Sequence, residues 1–201
     1  MKRFNARKSV MVGSGAPRGM GRYWWVLVQL GVAALMVAFI GASPALADDA
    51  DARTVLVFTH FHDDGIVTPS TLLCNGGQAI HGHATFGLRR GDTWLGTSEY
   101  DICLRPGPAP NTLTFHGVET FTGTVIGCGT GTMTYTLTHG FVRLEANPTT
   151  PNGTQVWQVV AGAGTGELAG VTGGLGVSVF TILPTLANDG FFTGTLTCQH
   201  D

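Results

Sequence analysis

The chain has 201 residues, with 11 Lys+Arg against 13 Asp+Glu and a formal net charge of −2. That balance conceals a split: six of the basic residues lie in the first 22 positions, no acid precedes Asp48, and from Asp48 onward 5 Arg, no Lys and 13 acids leave a charge of −8. An acidic region without clustered Lys or Arg excludes nucleic acid as a partner, and the 154 residues from Asp48 onward suit one domain with one core.

The N-terminus reads as an export signal. Lys2, Arg3, Arg7, Lys8, Arg18 and Arg22 precede an uncharged run from Trp24 to Ala42, and Ala45-Leu46-Ala47 then places small residues before Asp48. Basic, apolar and small-residue segments in that order predict a signal peptide over 1–47 and a single exported domain over 48–201. The apolar run is close to the length of a membrane span, so any membrane contact is through this segment, if it stays uncleaved. Cys74, Cys103, Cys128 and Cys198 all follow it. An even number in an exported domain predicts two disulfides, with three connectivities open. No C-x-x-C pair is present, so cysteine ligation of a metal is not expected.

From Asp48 onward the chain holds 24 Gly and 27 Thr. Thr favours strands and Gly weakens helices, and period-two alternation recurs where helical spacing does not. The elements expected, in order, are strands at 54–62, 79–88, 93–103, 112–125, 130–145, 154–161, 175–183 and 190–198. The turn signals between them include Arg90-Gly91-Asp92, Pro106-Gly107-Pro108, Gly127-Cys128-Gly129, Asn147-Pro148 and Asn188-Asp189-Gly190. The first strand carries Thr59-His60-Phe61-His62-Asp63-Asp64. This resembles the H-x-H-x-D zinc motif of metallo-β-lactamases, but too few residues precede it for that fold, and Val67-Thr68-Pro69 breaks the helix that should follow. His81 and His83 form a second H-x-H pair on the next strand, opposite its apolar positions Ile80, Ala84, Phe86 and Leu88. Both pairs are expected to face outward, and no metal or other cofactor is expected. Arg90-Gly91-Asp92, an integrin tripeptide in spelling, is read as a tight turn.

In the fourth strand Leu113, Phe115, Gly117, Glu119 and Phe121 alternate against Thr114, His116, Val118, Thr120 and Thr122. In the fifth, Met133, Tyr135 and Leu137 alternate against threonines. The run Gly164-Thr165-Gly166-Glu167-Leu168-Ala169-Gly170-Val171-Thr172-Gly173, a strand, and Gly190-Phe191-Phe192-Thr193-Gly194-Thr195 then close the pattern. With Phe121-Thr122-Gly123-Thr124-Val125 and Gly129-Thr130-Gly131-Thr132, they resemble an uncharacterised exported bacterial family related in pattern to the allene oxide cyclase and dirigent-like proteins. The resemblance covers roughly residues 112–198. It implies an all-β, eight-stranded antiparallel up-and-down barrel with a small lumen, in a secreted or extracytoplasmic bacterial protein. Plant members of that class use such a lumen to steer cyclisation or radical coupling of apolar small molecules. No catalytic motif carries over residue by residue, and Glu167, which matches the family segment, is read as a turn cap.

Within that architecture Glu119 is expected to face the lumen, where burial raises a carboxyl pKa and suits it to acid-base work. Tyr135 and His139 are expected on the same inward face of the next strand, and Tyr100, alternating with Trp94 and Ile102, on a third. These four are the candidate ligand-binding residues. The alternative is a closed core with Glu119 at the rim or paired to Arg143. The two functional readings are therefore a barrel that binds a small, mostly apolar molecule, with cyclase- or isomerase-like activity, and a non-catalytic envelope or extracellular scaffold with a filled barrel. Counting strands in the up-and-down order places Cys74 and Cys103 at one end and Cys128 and Cys198 at the other. A strand of ten residues spans roughly 30 Å, far more than a disulfide can bridge, so the expected pairs are Cys74–Cys103 and Cys128–Cys198.

Overall fold

The structure, a computed structural model, describes residues 52–199. The predicted signal segment over 1–47 lies outside the described residues. Ten strands follow in order: β1 (Ala52–Asp63), β2 (Thr68–Pro69), β3 (Gln78–Phe86), β4 (Trp94–Pro106), β5 (Thr112–Val125), β6 (Gly129–Arg143), β7 (Gly153–Val159), β8 (Thr165–Gly166), β9 (Val171–Ile182) and β10 (Asn188–Gln199). A 3-10 turn, Glu167–Gly170, precedes β9, and the described residues contain no α-helix.

Eight of the strands form a ring in the order β1-β10-β9-β7-β6-β5-β4-β3, returning to β1, and every pairing is antiparallel. β2 adds to β3, and β8 to β6. The closing seam is short, with Phe61 opposite Phe86 and His62 opposite Thr85. Below it Thr93 takes over: its N–H donates to Phe58 O at 2.9 Å, and its hydroxyl accepts from Phe58 N at 3.1 Å.

The alternation read from the sequence decides which face is inside. In β6 Met133, Tyr135 and Leu137 are buried, while Thr130, Thr132, Thr134 and Thr136 point out. Facing threonines join neighbouring strands on the outside, Thr120 to Thr134 at 3.1 Å and Thr124 to Thr130 at 2.8 Å. β9 begins four residues earlier than the expected 175, inside the glycine-rich run. The added residues pair with β10, Gly173 opposite Thr197 and Gly174 opposite Leu196, and a Cβ at Gly174 would overlap the Leu196 side chain, so the glycine lets the strand pack there.

The interior is divided. Towards the end where β5 turns into β6, aromatic rings fill it. Trp94 packs against Phe86, Phe121, Tyr135, Trp157 and Phe192 with ring centroids 5.3–5.7 Å apart. Cys128 and Cys198 are joined across that end, and Cys74 and Cys103 tie the β2–β3 loop to the outward face of β4, each pair with Cα atoms 5.5 Å apart. The opposite end, where β1 finishes and β10 begins, holds a cavity.

Candidate functional site

The cavity, about 110 Å³, is walled mainly by Phe61, Ile80, Ile102, Leu113, Phe115 and Leu137. Five polar residues also line it: Asp63, Tyr100, Glu119, Gln155 and Asn188. Strand register brings the central ones together. Gly82, Tyr100, Glu119, Tyr135 and Val159 are successive cross-strand partners over β3, β4, β5, β6 and β7, and antiparallel partners project from the same face.

Glu119 is 4% exposed. Ser98, one pair along β4, donates its hydroxyl to Glu119 Oε1 at 2.5 Å. The Tyr135 hydroxyl lies beside Glu119 and Ser98 and interacts with both, but without the geometry of a completed hydrogen bond. Burial pushes the Glu119 carboxyl up to about 7; the Ser98 and Tyr135 hydroxyls oppose that rise, and the nearby Asp63 adds to it. Near neutral pH Glu119 therefore either donates or accepts a proton, which is what an acid-base group requires.

Asp63, the last residue of β1, is also buried. It accepts from the Tyr100 hydroxyl at 2.7 Å, from Asn188 Nδ2 at 3.0 Å and from Gly65 N at 2.7 Å. Burial, then the Asp63 charge, push the Tyr100 hydroxyl far above its ordinary range. Burial and Glu119 do the same to Tyr135. Both phenols remain protonated.

Three of the four candidates, Tyr100, Glu119 and Tyr135, thus face the interior together. His139 does not. β6 shifts register against β7 between Thr138 and Phe141, and against β5 opposite Phe115–Gly117. His139 takes a left-handed backbone with φ 52° in this bulge and is exposed. One extra residue breaks the strict alternation that placed it inside.

The histidine pairs point out of the ring, and each imidazole has a carboxylate. His60 Nδ1 lies 2.7 Å from Asp92, His62 Nδ1 2.7 Å from Asp189, His81 Nδ1 3.3 Å from Asp101 and His83 Nε2 3.4 Å from Asp64. Asp92 of the Arg-Gly-Asp turn is buried, bonded to His60 and to Arg89 N, so it fastens the turn rather than presenting it. Glu167 accepts from Thr130 N at 2.8 Å, holding the 3-10 turn against the start of β6. Arg143 pairs with Glu145 at 3.4 Å.

Sequence reasoning missed Asp63, Asn188 and Gln155 as cavity residues. Gln155 had a signal: it alternates with Gly153 and Trp157 on the inward face of β7. Asp63 had a signal too: it alternates with Thr59 and Phe61 on the inward face of β1, opposite His60 and His62, one residue past the expected strand end at 62.

Residues 90–181 match a family described as "Protein of unknown function (DUF3224)". The matched stretch holds Tyr100, Glu119, Tyr135 and Gln155, and leaves out Asp63 and Asn188. No curated protein matches the chain.

Proposed function

We propose that this is an exported barrel of the allene oxide cyclase and dirigent-like kind that binds a small, mostly apolar molecule in its interior, with Glu119 as the acid-base group of a cyclase- or isomerase-like step. The observation that carries this reading is a cavity with apolar walls and a buried, titratable carboxyl inside it. Two disulfides in a chain that opens with a signal-like segment support export. The aromatic plug around Trp94 and Trp157 favours a second reading, a filled, non-catalytic envelope or extracellular scaffold.

Benzene separates the two. The cavity is somewhat smaller than an engineered apolar cavity of about 150 Å³ that holds this ligand. Titration into isotope-labelled protein is expected to give saturable NMR shifts at Ile102, Leu113 and Leu137, and none in Leu137→Trp, which fills the space. Absence of saturable shifts in the wild-type protein would favour the scaffold.

A further inference from the structure

The polar side of the cavity is not uniform. Asp63, Tyr100 and Asn188 largely satisfy one another: the phenol spends its only proton on Asp63, and the Asn188 amide donates to the same oxygen. Glu119 and Gln155 differ. Ser98 donates to Glu119 Oε1, and the Tyr135 hydroxyl lies beside the carboxyl without completing a bond to it. Gln155 is 6% exposed, lines the cavity, and its amide has no hydrogen-bond partner among the described residues. A buried amide without a partner is costly unless something else bonds it.

The lining also carries a charge argument. It includes Asp63 and Glu119 and no Lys, Arg or His. A carboxylate, phosphate or sulfate brought there would be desolvated beside like charge with nothing to compensate it. The remaining capacity is two donors, a carboxylic acid and a primary amide, inside walls that fit a ring of about six atoms.

We propose that the cavity binds a neutral carbonyl compound of about the size of a six-membered cyclic ketone, with the Glu119 carboxylic acid and the Gln155 amide as the hydrogen-bond donors the cavity offers to it. This rests on the reading of the interior as a ligand site and names the ligand class for it. The donor state of Glu119 depends on pH. The groups facing it are Asp63 from β1, Tyr100 and Ser98 from β4 and Tyr135 from β6. Both phenols stay neutral, so Glu119 is the group whose proton is lost as pH rises through about 7.

The test is an NMR titration with cyclohexanone and with methylenecyclohexane, which has the same shape but no carbonyl oxygen, alongside cyclohexylamine. At pH 6 the ketone is expected to bind about tenfold more tightly than the alkene. Gln155→Leu should bring the ketone down towards the alkene, read as the ratio of the two affinities within the same variant. Glu119→Gln keeps a donor, so the preference should survive there and persist above pH 8, where the wild-type protein loses much of it. Alkene binding without a ketone preference would overturn the inference and leave the ligand-site reading standing. Binding of neither would overturn both. Cyclohexylamine outcompeting the ketone, or a preference insensitive to both substitutions, would also overturn it.

Discussion

The Tyr100 hydroxyl reaches Asp63 Oδ2 at 2.7 Å by passing over Gly82, its cross-strand partner on β3. A Cβ at Gly82 would overlap that hydroxyl. A residue without a side chain thus lets β4 bond the end of β1 across the intervening strand, close to the short seam of the ring. Asp63 and Asn188 face each other in the β1–β10 pair, so the same carboxylate also ties the two strands at the cavity end.

Gly82→Ala should therefore act through Tyr100. Displacing the phenol removes one donor from a buried carboxylate, at a cost of roughly 1–3 kcal/mol. Tyr100→Phe should cost a similar amount. The double substitution should cost less than the two together, with a coupling of at least about 0.5 kcal/mol. Urea unfolding of the four proteins measures this, and simple additivity would contradict the proposed route.

Glu119 gives stability a pH dependence of known sign. Its folded value is raised to about 7 from an ordinary 4.5, so between these two values the unfolded chain loses its proton while the folded protein keeps it. Stability from this group is complete below about 4.5, falls as pH rises through about 7, and levels off above that, by up to roughly 3 kcal/mol. Other groups titrate in the same window, so the useful quantity is the difference between wild type and Glu119→Gln. Urea midpoints from pH 4 to 8.5 should show the variant gaining on the wild type as pH rises, and a flat difference would be evidence against a buried acid.

The two disulfides should differ in worth. The Cys128–Cys198 loop separates its ends by 70 positions and the Cys74–Cys103 loop by 29. Loop entropy then gives about 4.4 and 3.6 kcal/mol respectively. Replacing each pair by alanine and measuring unfolding tests the order. Peptide mapping under non-reducing conditions should recover the same two links, and a Cys103–Cys128 peptide would contradict the strand order.

Asp92 should matter to the fold rather than to adhesion. Its carboxylate accepts from Arg89 N at 2.8 Å and bonds His60 at 2.7 Å, beside Thr93, which bonds Phe58 at the seam. Asp92→Ala is expected to cost about 1–3 kcal/mol and to speed hydrogen exchange at the Phe58 and Thr93 amides. Unchanged exchange there would detach the turn from the seam.

Much of the fold was legible because alternation is a local code. Each of the eight long strands is visible in the order of apolar, Thr and Gly residues, and Glu119 is placed inside by its neighbours Phe115 and Phe121 alone. Strand counting leads to Cys74–Cys103 and Cys128–Cys198, the pairs the structure holds, because antiparallel order fixes which ends meet. What the tertiary structure decided depends on contacts between distant strands. A bulge whose backbone cost is borne by cross-strand pairing turned His139 outward, although its spacing from Tyr135 says inward. Asp63 can keep its carboxylate inside because Tyr100 and Asn188, 37 and 125 positions away, supply its donors. The division of the interior into an aromatic plug and a cavity follows from which side-chain volumes meet across the ring, a sum over eight strands that no single strand's pattern contains.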